Sequence, residues 1–353
     1  MNDEEKLKKL FEDKDPSNFD KVIKKAKLFS IIRGVITSIL VFTVVSFVGL
    51  VFNATTLNKL GNEKKTELEN YYRIAHPNSY IGSDQMDDGL LTGELDYVTY
   101  RFLGNKPIVD GNNKESYTYL PLINGLYGDI SGLLYESSGE SEQALYESKR
   151  YSKVGKNVMQ FYHPSVRYTK YRDDLSMINK IEEDKVMEMS LSFDKSYSIS
   201  QVKSMIPQNI TLNWYWVDTY TKSKVTELSS HIEKIGNEEE IPVNKREKHI
   251  SPNIILYEDE VYGIKAIDEA GKNKETPEKD FIDTISYGKT NKGKNQQLYE
   301  TLFSKLSKDK VKITKDNIKI LGVVVTGDKD SLKLLKNKSF IKASSLGAVG
   351  DKY

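Results

Sequence analysis

The chain contains no cysteine. That excludes a disulfide framework, an iron–sulfur cluster, a thiol nucleophile and every cysteine-ligated zinc finger, so stability must come from core burial alone. A dominant charge is lacking too: 52 Lys and Arg face 51 Asp and Glu, and no basic stripe stands out, which removes the electrostatic basis for nucleic-acid binding. Histidine is scarce. His76, His163, His231 and His249 are far apart and fit no H-x3-H or H-E-x2-H metal spacing. Neither a Gly-x-Ser-x-Gly elbow nor a phosphate-binding loop occurs. Glu258, Asp259 and Glu260, next to Tyr257 and Tyr262, could coordinate calcium, but they lack the alternating ligand spacing of a calcium loop and a hairpin tip explains them equally well. The expectation is a protein without catalytic residues, bound metal or cofactor.

Long apolar runs are rare as well, and there the exception is informative. Gly34 to Phe52 (GVITSILVFTVVSFVGLVF) holds no charged residue. Roughly 19 such residues make about 28 Å of helix, close to the ~30 Å hydrocarbon core of a bilayer. The run is apolar all round, and its hydroxyls Thr37, Ser38, Thr43 and Ser46 can bond back to carbonyls of the same helix. It exceeds the apolar core of a cleaved signal peptide. Lys21, Lys24, Lys25, Lys27 and Arg33 crowd its N-terminal flank, whereas beyond Phe52 the lysines alternate with glutamates. By the positive-inside bias those five residues lie at cytosolic headgroups, which leaves the bulk of the chain outside the cell membrane. Gly34 and Ser38 form a small-xxx-small pair of the kind that lets two helices self-associate.

The tail, residues 1–33, is too short to bury a core. Asp3 caps a short helix that places Leu7, Leu10 and Phe11 on one face at i, i+3, i+4 spacing. Asp15-Pro16 then starts a second helix, which runs into the span with Phe19, Val22 and Ile23 along its apolar side. These faces need lipid or a partner protein, and the six residues named are the candidate partner-binding set.

Beyond the span, residues 53–70 read as a polar helical stalk, 71–175 as a β-rich region and 176–353 as an α+β domain. Leu95 to Phe102 alternates in the manner of a strand, and Val158 to Tyr168 is also strand-like. Val186 to Phe193, a helix capped by Ser198 and stopped by Pro207, and strand Ile210 to Thr219 make one strand–helix–strand unit. Ile318 to Thr326, helix Lys329 to Leu335 and Phe340 to Ser345 make another. Period two puts Ile210, Leu212, Trp214 and Trp216 on one strand face, where the tryptophans either fill the core or line a groove. Lys222 to Ser251 reads as a polar loop or inserted exposed element, Ser137 to Lys149 as loop and short helix, and Gln296 to Leu306 as an amphipathic helix.

Leu191-Ser-Phe-Asp194, Val202-Lys-Ser-Met-Ile-Pro207 and Leu212-Asn-Trp-Tyr-Trp-Val-Asp-Thr-Tyr220 resemble the C-terminal domain of bacterial sigma factor regulators. Ile320-Leu-Gly-Val-Val-Val-Thr-Gly327 and Ile341-Lys-Ala-Ser-Ser-Leu-Gly347 are similar to the end of that domain. The basic flank with its span, and His76-Pro-Asn-Ser-Tyr-Ile81 leading to Glu94-Leu-Asp-Tyr97, resemble the family's N-terminal region. The resemblance implies a membrane-anchored anti-sigma factor whose cytosolic tail restrains an extracytoplasmic-function sigma factor while the exterior part senses the envelope. The short tail departs from anti-sigma proteins that carry a folded, zinc-binding cytosolic domain. The competing expectation is a surface-anchored module that binds other envelope proteins and has no sigma-factor role.

Overall fold

The computed structural model describes residues 16–120, 134–136, 149–152, 154–229, 231–232, 250–251, 254–291, 293–308 and 310–352. Its first element is α1, Pro16–Ile74, 59 residues without a break and therefore about 88 Å long. Pro16 opens it where a missing N–H costs nothing. From Asn53 onward α1 is not a free stalk. Asn53, Leu57, Leu60, Gly61, Lys64, Leu68 and Tyr72 recur at helical spacing and turn one stripe towards an antiparallel meander of β1 (Ser79–Asp88), β2 (Thr92–Leu103) and β3 (Lys106–Thr118). Leu57, Leu95, Tyr97 and Tyr117 form the buried centre of that layer. Lys64 pairs with Glu115 and Lys65 with Asp84, each at 2.8 Å, along its margin.

The C-terminal part is built on a five-stranded antiparallel sheet. Its strands are β5 (Lys185–Tyr197), β6 (Thr211–Val217), β8 (Gly263–Lys265), β9 (Ile320–Asp328) and β10 (Ile341–Asp351), after a short β4 (Gln160–Phe161) that pairs outside this sheet with β7 (Leu256–Tyr257). The order is β8-β6-β9-β5-β10. Both strand–helix–strand units are present, through α2 (Ile199–Met205) and, after α3 (Lys222–Ser229), α4 (Pro277–Thr290) and α5 (Gln296–Ser307), through α6 (Lys329–Lys333). They interleave. β9 of the second unit lies between β5 and β6 of the first, so each unit is a split βαβ and neither makes a sheet alone. Together with α1 the fold is mixed α+β.

Both faces of this sheet are covered. Met187, Met189, Leu191 and Phe193 face α4 and α5 in a core completed by Phe281, Ile285, Leu302 and Leu306. On the other face, Ser190, Ser192 and Ser345 are buried beneath the 158–168 segment, while Ser344, opposite Leu191, is buried on the helical side. The 158–168 segment is not the expected strand: only Gln160–Phe161 pairs, and the rest of it is irregular. Irregular backbone needs polar partners when buried, and the serines supply them. The Tyr162 amide donates to Ser192 Oγ at 2.9 Å, Gln160 to Ser345 at 3.1 Å, Leu175 to Ser344 at 3.0 Å, and Ser190 donates to the Gln160 carbonyl at 2.8 Å. Alternation in Val186 to Phe193 therefore marks a backbone-binding face, not a solvated one.

A bulge corrects the expected facing of β6. Val324 pairs with Trp214 but Val325 pairs with Leu212, which leaves Asn213 as the extra residue. Ile210 and Leu212 consequently join Tyr215 and Val217 on the helical side, away from Trp214 and Trp216. Lys222–Ser229, within the stretch expected as a polar loop or inserted exposed element, is helical.

Candidate functional site

Two features bear on function, the apolar rod and the joint at its end. An 18-residue window of α1 has mean hydropathy 2.6 and none of it is buried, so this helix is long and apolar enough to cross a membrane. Thr37, Ser38 and Thr43 donate to Arg33, Gly34 and Ile39 carbonyls at 2.8, 2.9 and 2.8 Å, which removes their cost in lipid. Ser30, Gly34 and Ser38 lie along a shallow groove rimmed by Val41, Phe42 and Val45. Lys21, Lys24, Lys25, Lys27 and Arg33 are exposed on the same helix, as are Val22 and Ile23. Phe19 lies on α1, whereas Leu7, Leu10, Phe11 and the Asp3 cap fall outside the described residues. So does Ser137 to Lys149, apart from Lys149 at a strand end.

The rod ends inside the protein. Ile74 is fully buried in the helical-side core of the five-stranded sheet, and His76-Pro77-Asn78 turns the chain into β1, with His76 and Asn78 both at φ 53°. Asparagine tolerates that left-handed conformation better than most residues. The turn aims the Asn78 side chain into a buried polar joint: its amide donates to the Phe102 carbonyl and to Glu188 Oε1, each at 2.8 Å, and its oxygen accepts from Asn213 at 3.2 Å. Asn213 is the bulge residue of β6, and it accepts in turn from Thr326 at 2.9 Å.

Glu188 and Arg101 sit at the centre. Arg101, on β2, donates Nη1 to Glu188 Oε2 at 2.6 Å and grips Asp110 with Nε and Nη2 at 2.7 and 2.6 Å. Asp110 is the unpaired residue of a bulge in β3, where Thr99 pairs with Gly111 and Tyr100 with Val109. That bulge points a carboxylate inward from an edge strand. Lys156 bridges Glu258 at 2.5 Å and Asp110 at 3.4 Å. Glu188 also accepts from the Ala348 amide at 3.2 Å, and a side chain at Gly347 would collide with its carboxylate. Burial alone would raise the Asp110 pKa, but Arg101 and Lys156 outweigh it and hold the carboxyl well below the usual range. Arg101 is likewise pushed up, its desolvation overcome by Asp110, Glu188 and Glu258. Nearby, burial drives Lys265 well below an ordinary lysine; its ammonium donates to the Ser79 carbonyl and lies 4.0 Å over the Tyr80 ring.

This arrangement joins rather than reacts. Arg101 is 2% exposed and Glu188 fully buried, so no substrate reaches them, and the network ties the N-terminal sheet to the C-terminal one by charge. Asn78, Asn213, Thr326 and Gly347 all lie in stretches that carry the family resemblance, and they converge here from four parts of the chain. Trp214 and Trp216, by contrast, lie in the core. Both are fully buried against Phe161, because the 158–171 segment closes over their face of the sheet.

Residues 20–108 match the family model described as sigma factor regulator N-terminal, and residues 178–348 match that described as sigma factor regulator C-terminal. Each match takes in one side of the Arg101–Glu188 joint. No curated protein and no solved structure matches the chain.

Proposed function

Since the chain belongs to the sigma factor regulator family, we propose that it is a single-pass membrane protein whose N-terminal tail restrains an extracytoplasmic-function sigma factor while the C-terminal bulk senses the envelope. The observation that carries this reading is the continuity of α1, from exposed basic residues beside the apolar span to Ile74 in the distant core. A change felt by the exterior sheets therefore has an unbroken mechanical route to the tail. The cationic flank supports an N-terminus in the cytosol. Leu7, Leu10, Phe11, Phe19, Val22 and Ile23 are the anchors a groove on the sigma factor would take up.

The test is a pull-down of the full-length protein from detergent-solubilised membranes beside a chain lacking residues 1–20. A sigma factor recovered only with the full-length chain is the expected result, and Phe11→Asp with Phe19→Asp should then release the regulated genes without altering topology. Envelope proteins recovered from both chains, with no sigma factor from either, would overturn the reading in favour of a surface-anchored binding module.

A further inference from the structure

The turn between β1 and β2, Gly89-Leu90-Leu91, does not have the composition of a turn that faces water. Solvated turns favour Gly, Asn, Asp and Ser. Here Leu90 is 70% exposed, and Leu91 adopts φ 73°, a conformation unfavourable for leucine. Its place is fixed by Asn53, the first residue after the apolar run. The Asn53 amide donates to the Gly89 carbonyl at 3.0 Å, and its oxygen accepts from the Leu91 amide at 2.9 Å and the Tyr119 hydroxyl at 3.0 Å. The Tyr119 ring meets Phe52, the last residue of the run, edge-on at 5.9 Å. Phe52, Tyr119 and the leucine turn thus form one collar at the depth where the span ends.

The geometry points to a lipid-docking surface: the Leu90-Leu91 turn, with Tyr119 beside it, enters the boundary between headgroups and acyl chains of the outer leaflet. Tyr at that level matches the aromatic belt of membrane proteins. The occupant is lipid because Asn53 holds the turn to the end of the span, leaving Leu90 no distance from the bilayer surface. Asp87 and Asp88 flank the turn, and Asp88 accepts from Tyr117, so the docking is apolar and draws nothing from anionic lipid. This surface holds the exterior sheets at a fixed height on the bilayer. The inference rests on α1 spanning the membrane and not on the sigma-factor reading.

The absence of cysteine permits a clean test. Single nitroxides at Leu90→Cys, Val45→Cys in mid-span and Val311→Cys, where the native side chain is 97% exposed, are compared in the full chain reconstituted into phosphatidylcholine vesicles with and without phosphatidylglycerol. The ratio of accessibility to oxygen over a water-soluble nickel chelate should be severalfold higher at Leu90 than at Val311, approach that at Val45, and not change with phosphatidylglycerol. A Leu90 ratio equal to that of Val311, with Val45 reading lipid, would overturn the docking while leaving the span intact; water-like ratios at both would remove the span itself. Dipolar broadening between Leu90 labels of two copies would also overturn it, in favour of self-contact. As a label-free second probe, the fluorescence of Leu90→Trp should be quenched by brominated lipid while Trp214 and Trp216, buried in the core, are not.

Discussion

Arg101 is the residue on which the joint depends. It stands on the buried face of β2 with Leu95, Tyr97 and Thr99, and it neutralises one carboxylate from its own sheet and one from the other. Replacing it by Met leaves Glu188 buried without its cation and Asp110 with Lys156 alone, a change that costs about 3–5 kcal/mol. The sign of the pH dependence distinguishes lost charge pairing from lost packing. In the native protein Asp110, with its depressed pKa, contributes stability that is present above about pH 4 and is lost as the pH falls through its low folded value. Arg101→Met removes the larger part of that contribution, leaving that of Lys156, so the gap between variant and native protein should be widest near neutrality and narrow as carboxylates take up protons. Urea unfolding followed by the fluorescence of Trp214 and Trp216 at neutral and mildly acid pH measures it; an equal gap at both would mean that Arg101 acts through packing. An arginine in phase with Leu95 and Tyr97 is a signal the sequence carries, because a cation on an apolar face requires a partner. The partner itself was not legible: Glu188 lies 87 residues away, and Asp110 reaches inward only through a bulge that period-two reasoning does not foresee.

At the scale of elements, the interface that gives α1 its leverage is the contact with the N-terminal sheet. Gly61 makes the close approach possible: a Cβ there would lie 2.8 Å from both the Met86 sulfur and the Tyr117 hydroxyl. Gly61→Leu should therefore lift the helix from the sheet, with a loss of roughly 1–3 kcal/mol from overpacking and faster amide exchange across β1 and β3. Gly49→Leu, within the apolar run where nothing lies near, should leave exchange unchanged and serves as the comparison. Elements with strong local signals were readable from sequence, such as α2, whose Ser198 and Gln201 form a reciprocal capping box. The helix α4 carried a signal that went unused, Thr276-Pro277 followed by Glu278 and Asp280 in the first turn. The 158–168 segment misled because Met159, Phe161, Tyr162, Val166 and Tyr168 are apolar for a different reason: they cover a sheet rather than extend one.

For the whole molecule, the question is where the unit beyond the apolar run begins. Sequence texture suggested a stalk up to residue 70 and a domain after it, since Asn58 to Asn70 is polar on average; what that average conceals is the stripe Leu57, Leu60, Gly61, Lys64 and Leu68. A three-stranded sheet with one apolar face needs a second layer before it is stable. Residues 53–74 of α1 are that layer, and Ile74 extends it into the core of the other sheet. We propose that the boundary falls between Phe52 and Asn53, where exposed apolar surface gives way to buried contacts. A chain of residues 53–353 should fold, remain monodisperse without detergent and melt within a few degrees of the full-length protein. A chain of residues 76–353 should not, because Leu95, Tyr97 and Tyr117 lose their cover and the Ile74 site is left empty. Calorimetry of both chains checks this. If the shorter chain melted like the longer one, α1 would be only a tether, and the mechanical route from the sheets to the tail would lose its physical basis.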